Sequence, residues 1–299
     1  MREISYARLP PTILPPSAVS NRLLNRHGLS VRVGFELEFY IRPAPVAPLP
    51  FIDGLESEIR LNHPMLLSLK NEAGPGQFEI CTKPTYDPDA GLRHLDRLRA
   101  AVDSTLARFS LAADWRSSPL SGYPGSALHV HLSLYNSEGN NVFCRGCGGE
   151  ESEVLLRVVN GMLETLPDLM PVFAPTESCY QRYMEIPFPE VAVTPSRVCW
   201  GPDNRAAALR LPPCGATPDA RRIEHRVAGA SANPASVLSA ILVGACAGLE
   251  ARGSPRHPPA YGHPGNPLYD FQRIPASFAE ARVPFLARGQ TLLGSYTSL

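Results

Sequence analysis

Lysine is almost missing from this chain: of 28 basic residues only Lys70 and Lys83 are lysines, and arginine supplies the rest. Guanidinium forks suit phosphate and carboxylate ligands, although a coding bias would give the same composition. An excess of either charge is missing too. The 28 basic and 28 acidic residues leave a formal net charge of zero, which removes any bulk attraction to nucleic acid or an anionic membrane surface. The first twenty residues hold several prolines and no continuous apolar run, so neither a signal peptide nor a membrane anchor is expected there, and a cytoplasmic location is. Disulfide framework spacing is absent. The seven cysteines point to a reducing compartment with mostly free thiols. Cys144 and Cys147 form a lone CxxC with no second pair, too little for a zinc site. What remains is an ordinary soluble composition, 44% hydrophobic over 299 residues, enough for a substantial core.

The strongest pattern lies between residues 31 and 41. Val31, Val33, Phe35, Leu37, Phe39 and Ile41 alternate strictly, which makes one strand face apolar. Arg32, Gly34, Glu36, Glu38 and Tyr40 share the other face. Two carboxylates two residues apart repel unless they are solvated or a cation sits between them.

Residues 1 to about 30 are expected to be an irregular arm, broken by Pro10-Pro11 and Pro15-Pro16. Residues 43 to 50 form a proline-rich break, and 51 to 70 are ambiguous. Leu66 to Glu72 is a strand or short helix that ends in a turn at 73–76. Gln77 to Cys81 is a strand with Gln77 and Glu79 on one face. Leu92, Leu95, Leu98, Val102 and Leu106 predict a helix over 89–108. Leu128 to Leu134 alternates again, with His129, His131 and Ser133 on the polar face. A helix is expected from Val154 to Leu166, and residues 167–203 as a proline-rich loop. Asn204–Leu211 and Arg222–Val227 are expected to be strands. Arg205 and Arg210, an odd number apart, share a side only through a bulge or a strand end. Asn233-Pro234 opens a helix, and a short one is expected around Ser277–Arg282.

An antiparallel sheet with helices on one side would collect these polar faces on one open surface. That surface carries Glu36, Glu38, Glu72, Glu79 and Glu224, His129 and His131, and Arg182, Arg205, Arg210, Arg222 and Arg226. Taken singly, each such residue is more often solvated or structural than functional. Taken jointly, carboxylates with an occasional imidazole suit Mg²⁺ or Mn²⁺ better than zinc. Guanidinium groups around them add the equipment of phosphoryl transfer.

Five segments occur in one order: Gly34-Phe35-Glu36-Leu37-Glu38-Phe39, Gly74-Pro75-Gly76-Gln77-Phe78-Glu79, Gly125-Ser126-Ala127-Leu128-His129-Val130-His131, Trp200-Gly201-Pro202-Asp203-Asn204-Arg205 and Arg221-Arg222-Ile223-Glu224-His225-Arg226. Their order and spacing resemble the catalytic domain of the glutamine synthetase family, from about residue 31 to about 295. The likeness is strongest to the branch that includes glutamylpolyamine and glutamylmethylamide synthetases. The resemblance implies an α+β fold, a curved antiparallel sheet with a polar funnel face and helices on the other. It implies two, or three, Mg²⁺ or Mn²⁺ ions, one held by Glu38, Glu72 and Glu79 and another by Glu36, His129 and Glu224. It places His131 and Ser133 toward ATP, Arg205, Arg210 and Arg222 on phosphate, and Gly125, Arg182 and Arg226 on the amino-acid substrate.

The sequence also departs from the family. Only about thirty residues precede the first metal strand, so the family's N-terminal β-grasp domain is expected to be absent from residues 1–299. An assembly of copies is expected, but not the usual double ring. Pro124 stands where the family has a substrate-binding Asn. The flap glutamate falls near Phe188, with Glu185 and Glu190 beside it. The expected activity is an ATP-dependent acid–amine ligase that makes an amide, such as a γ-glutamyl amine, through an acyl phosphate. Its partners would be a small amino acid and an organic amine. The alternative is a catalytically weak, regulatory nucleotide- and metal-binding protein.

Overall fold

The computed structural model describes residues 15–43, 52–146, 149–184, 194–215, 217–251 and 257–296. Strand β1 (Ser30–Arg42) is the hub of its sheet. Its alternation is realised in full: Val31, Val33, Phe35, Leu37, Phe39 and Ile41 are at most 1% exposed. On one side β1 pairs antiparallel with β3 (Gln77–Thr82), which in turn pairs with β2 (Leu66–Asn71). On the other side it pairs with the short β4 (Ala112–Asp114) and with β5 (Leu128–Tyr135). Three short strands continue the sheet, β6 (Trp200–Pro202), β7 (Leu209–Leu211) and β8 (Ile223–His225), giving the order β2-β3-β1-β5-β8-β7-β6. All pairs are antiparallel except β6 with β7. The fold is α+β, with an open, mostly antiparallel sheet.

Helices cover the apolar face. Helix α1 (Pro16–His27) and, after the short α2 (Ile52–Asn62), helix α3 (Pro88–Ala107) pack against β1. Helix α4 (Glu153–Phe173) is followed by α5 (Glu177–Gln181), and α4 packs along α6 (Pro234–Glu250) in the same core. The chain closes with α7 (Phe278–Pro284), a π-helical turn, and α8 (Gln290–Ser295). Four starts are capped as their sequences suggest: the side chains of Asp87, Ser152, Asn233 and Ser277 each accept a backbone N–H three residues on.

Several expectations need correction. The arm over residues 1–30 is not irregular throughout, because Pro16 takes the first position of α1, where a missing N–H costs nothing, and Val19 and Leu23 are fully buried. The loop expected from 167 does not begin there: α4 runs on through Pro167 and Pro171. Burial of Leu169, Met170, Val172 and Phe173 offsets the lost helix bonds. The expected strand over 204–211 is a turn up to Ala208 and a strand only from Leu209. Arg222–Val227 shortens to Ile223–His225. The break at 43–50 and the flap positions Glu185, Phe188 and Glu190 lie mostly or wholly outside the described residues, as does Cys147.

Helices α4 and α6 meet through glycine. A Cβ on Gly161 would lie 2.2 Å from the Gly248 nitrogen and 2.4 Å from the Gly244 oxygen, both backbone atoms that cannot swing aside. Gly161→Ala should therefore destabilise the fold by about 1–3 kcal/mol, an overpacking cost. Urea unfolding checks this: the midpoint should fall with the slope unchanged, and an unchanged midpoint would contradict the packing described.

Candidate active site

Strand register builds the site. Glu38 lies opposite Glu79, and Glu36 lies opposite Cys81 on β3 and His129 on β5. His131 lies opposite Glu224, which lies opposite Arg210. Because side chains alternate across a strand, these partners all project from the polar face. His129 becomes the centre of a carboxylate ring. Its Nδ1 lies 3.3 Å from Glu36, 3.8 Å from Glu224 and 3.9 Å from Glu79, and its Nε2 lies 3.9 Å from Glu38. Glu36, His129 and Glu224 form one group with ligand geometry, and Glu38, Glu79 and His129 form another. Glu72 lines the same cavity from the turn after β2 but belongs to neither group.

Neighbouring groups hold the ring in place. Glu38 accepts from the Ala127 N–H at 2.8 Å and from Gln77 Nε2 at 3.4 Å. Gln77 also bridges to the Gly125 carbonyl at 3.1 Å and receives the Gly74 N–H at 2.9 Å. Glu224 accepts from Arg210 at 2.8 Å and from Arg226. His131 Nδ1 accepts from Arg222 Nε at 3.1 Å, leaving Nε2 facing Glu36 at 3.0 Å.

Two cavities meet at this ring. The first, about 310 Å³, is lined by Arg32, Glu36, His131, Ser133 and Arg222 among others, a size suited to a small ligand. The second, about 140 Å³, is polar and is ringed by Arg182, Arg205, Arg210 and Arg226 together with the glutamates and Gly125. Of the three arginines expected on phosphate, only Arg222 lines the first cavity. Arg205 sits on a turn rather than a strand, so it shares the second cavity with Arg210 without any bulge. Arg182 is buried and braced, donating to the Val227 carbonyl at 2.7 Å and the Arg226 carbonyl at 2.9 Å. Gly125 is fixed by closeness, since a Cβ there would lie 2.6 Å from Arg182 Cγ and from the Ser117 oxygen. Pro124 accepts from the Tyr40 hydroxyl through its carbonyl at 2.7 Å.

Lys70, Gln77 and Cys81 also belong to the site, although the sequence reading gave them no role. Lys70 Nζ lies 2.8 Å from Glu79 and the Cys81 thiol 3.1 Å from the same Glu79 oxygen. Period-two spacing from Glu79 was the signal that could have found Gln77 and Cys81.

The charges explain why a cation suits this ring. Burial, then the neighbouring carboxylates Glu36 and Glu38, push the Glu79 carboxyl up to about 8. Burial likewise pushes Glu38 up to about 7. Burial acts on Glu36 as well, but His131 and His129 outweigh it and hold that carboxyl far below the usual range. Burial on Glu224 is outweighed by Arg226, then His129, leaving it at about 2. Burial, and then Arg226, lowers His129 to about 4, so it is a neutral donor. Oxygen donors with one neutral imidazole, two of the carboxyls raised by burial, fit a hard divalent ion such as Mg²⁺ or Mn²⁺.

Comparison with known proteins agrees with this geometry. The family model described as the glutamine synthetase catalytic domain matches residues 62–290, so the chain belongs to the glutamine synthetase family. Gamma-glutamylputrescine synthetase PuuA of Escherichia coli (strain K12) is 33% identical over 283 residues, covering 80% of this chain and 56% of that protein. Gamma-glutamylethanolamide synthetase GlnA4 of Streptomyces coelicolor is 27% identical over 306 residues, covering 91% and 62%. The chain thus spans little more than half the length of these curated relatives. Among solved structures, one titled "GmaS/ADP complex-Conformation 1" superposes with a TM-score of 0.80 at 21% identity, covering 95% of this chain and 69% of that one, which supports the fold. Among the described residues no helix is long and apolar enough to cross a membrane.

Metal binding should be pH-linked. Glu38 and Glu79 ionise at about 7 and about 8 in the fold against an ordinary 4.5, so at these two positions the metal-free fold binds more protons than the unfolded chain. Their contribution to stability therefore falls as pH rises through about 8, while His129 and His225, lowered from 6.5 to about 4 and about 3, act in the opposite sense only below about 6.5. An ion displaces those protons, and apparent Mn²⁺ affinity should rise about tenfold per pH unit for each proton displaced, levelling off above that range. Thermal unfolding with and without Mn²⁺ checks the sign: the metal-induced rise in Tm should be larger at about pH 8.5 than at about pH 6. Equal rises at both would contradict it.

Proposed function

We propose that this chain carries the chemistry of an ATP-dependent carboxylate–amine ligase, with glutamate or a close analogue as the acid and an organic amine as the acceptor. One observation carries the reading. Glu36 lines both cavities, so the ligand ring stands between a pocket of small-ligand size and a pocket rimmed by arginine.

In the proposed reaction a side-chain carboxylate oxygen attacks the terminal phosphorus of ATP and ADP leaves. The amine nitrogen then attacks the acyl carbon, phosphate leaves, and the nitrogen gives up a proton. A carboxylate is otherwise a poor acyl donor, which is why activation is needed. Two divalent ions, one held by Glu36, His129 and Glu224 and the other by Glu38, Glu79 and Glu72, would shield phosphate charge from the incoming carboxylate. Arg222, oriented by His131, would hold the nucleotide end, with Ser133 beside it. Arg205 and Arg210 would meet the transferred phosphoryl group on the far side of the ring. Arg226, backed by Arg182, which packs on Gly125, would receive the α-carboxylate of the acid. Relatives named for organic amines, among them PuuA, GlnA4 and a glutamate–isopropylamine ligase of a Pseudomonas species, favour an organic amine, and others named glutamine synthetase make ammonium the competing acceptor. A small amino acid and an amine would be the partners.

The test is ADP release from ATP with Mg²⁺ or Mn²⁺ across a panel of acids and amines. Turnover should require glutamate or an analogue, rise with an alkyl amine or diamine, and fall about 100-fold or more in Glu224→Gln with the fold retained. Tight nucleotide and metal binding without turnover for any pair would instead indicate a regulatory binding protein.

A further inference from the structure

Beyond the two groups of hard ligands, Glu36, Glu79 and Cys81 form a third group whose ligand atoms all lie within 4.8 Å of one another. Register makes it: Cys81 lies opposite Glu36, and Glu79 lies two residues before Cys81 on the same strand face. The Cys81 side chain is buried and its sulfur already points at Glu79. An internal cation already marks the position, because Lys70, opposite Glu79 on β2, sets its ammonium on the oxygen that Cys81 approaches. Both Glu36 and Cys81 line the first cavity, while Glu36, Glu79 and Lys70 line the second. The group therefore occupies the wall between them.

We propose that Glu36, Glu79 and Cys81 form a third cation position that takes a thiophilic divalent ion such as Zn²⁺, with the Lys70 ammonium as its occupant when no metal is bound. Two carboxylates and a thiolate make a borderline-soft, low-coordinate set, which suits Zn²⁺ and Co²⁺ and disfavours Mg²⁺. Binding sends the thiol proton to solvent and swings Lys70 toward water, which its half-exposed side chain permits. An ion there would take Glu36 and Glu79 from the hard-metal ring, so micromolar-range Zn²⁺ would act as a competitive brake on the chemistry proposed above. The inference rests on that metal reading and adds to it a selectivity that oxygen ligands alone lack.

Cobalt tests it without any turnover, using the full chain and the metal alone. Co²⁺ should produce a sulfur-to-cobalt charge-transfer band in the near ultraviolet. Cys81→Ser should lose that band and about 30-fold or more in Zn²⁺ affinity, while Mn²⁺ binding, read by water-proton relaxation, changes by less than about threefold. A double variant, Cys144→Ser with Cys214→Ser, removes the thiols that are part-exposed among the described residues and should keep the band. Lys70→Gln should tighten Co²⁺ by about tenfold, since no ammonium need leave. A wild-type protein that binds Mn²⁺ but shows no cobalt band, or a band lost with Cys144 and Cys214 rather than Cys81, overturns the third position alone. Failure to bind Mn²⁺ as well overturns the metal reading with it.

Discussion

Like-charge crowding on one strand face is the constraint that the rest of the molecule accommodates. Glu36 and Glu38 share the polar face of β1, and the antiparallel register sets Glu79 directly across from Glu38. His129 arrives from the other side, and Glu224 from the strand beyond it. Such a grouping cannot be fully ionised in a low-dielectric setting without positive neighbours. The fold supplies some: Arg210 and Arg226 on Glu224, and Lys70 on Glu79, while Glu36 faces the rings of His129 and His131. Among the described residues no lysine or arginine is paired with Glu38, which relies on the Ala127 N–H and Gln77. The remaining deficit is where the proposed divalent ions would sit.

The apolar side of the sheet makes this arrangement affordable in conformational terms. Six alternating β1 side chains are sealed beneath α1 and α3, and α4 locks to α6 through glycine at close range. A sheet anchored in this way can keep a polar face whose charges would otherwise push it apart, much as active sites elsewhere hold groups that destabilise the fold. Rigid strands rather than loops hold Glu36, Glu38, Glu79, His129 and Glu224, which limits how far the ring can relax when it carries no ion.

How much of this was legible in the sequence depends on the physical signal in each segment. Period-two alternation in β1 and β5, and 3.6-residue spacing in α3, mark their own faces, and both strands and that helix lie where the pattern puts them. Helix α1 was obscured because Pro15-Pro16 is a break inside a helix but a good beginning for one. The tail of α4 was hidden for the opposite reason, since Pro167 and Pro171 usually end a helix and only burial reveals that this one continues. Arg205 and Arg210 posed a parity problem that vanished once residue 205 proved to lie in a turn. The glutamates were found because carboxylates on a strand face are conspicuous. Lys70 passed unnoticed because only strand register shows that it reaches the Glu79 oxygen that Cys81 also approaches.

Anomalous diffraction from crystals of the chain grown or soaked with Mn²⁺ bears most directly on the metal ring. The account predicts two manganese peaks on the polar face of the sheet, one within bonding distance of Glu36, His129 and Glu224 and one beside Glu38 and Glu79. A well-diffracting crystal with no manganese at either place, or with manganese held only by surface carboxylates, would contradict it.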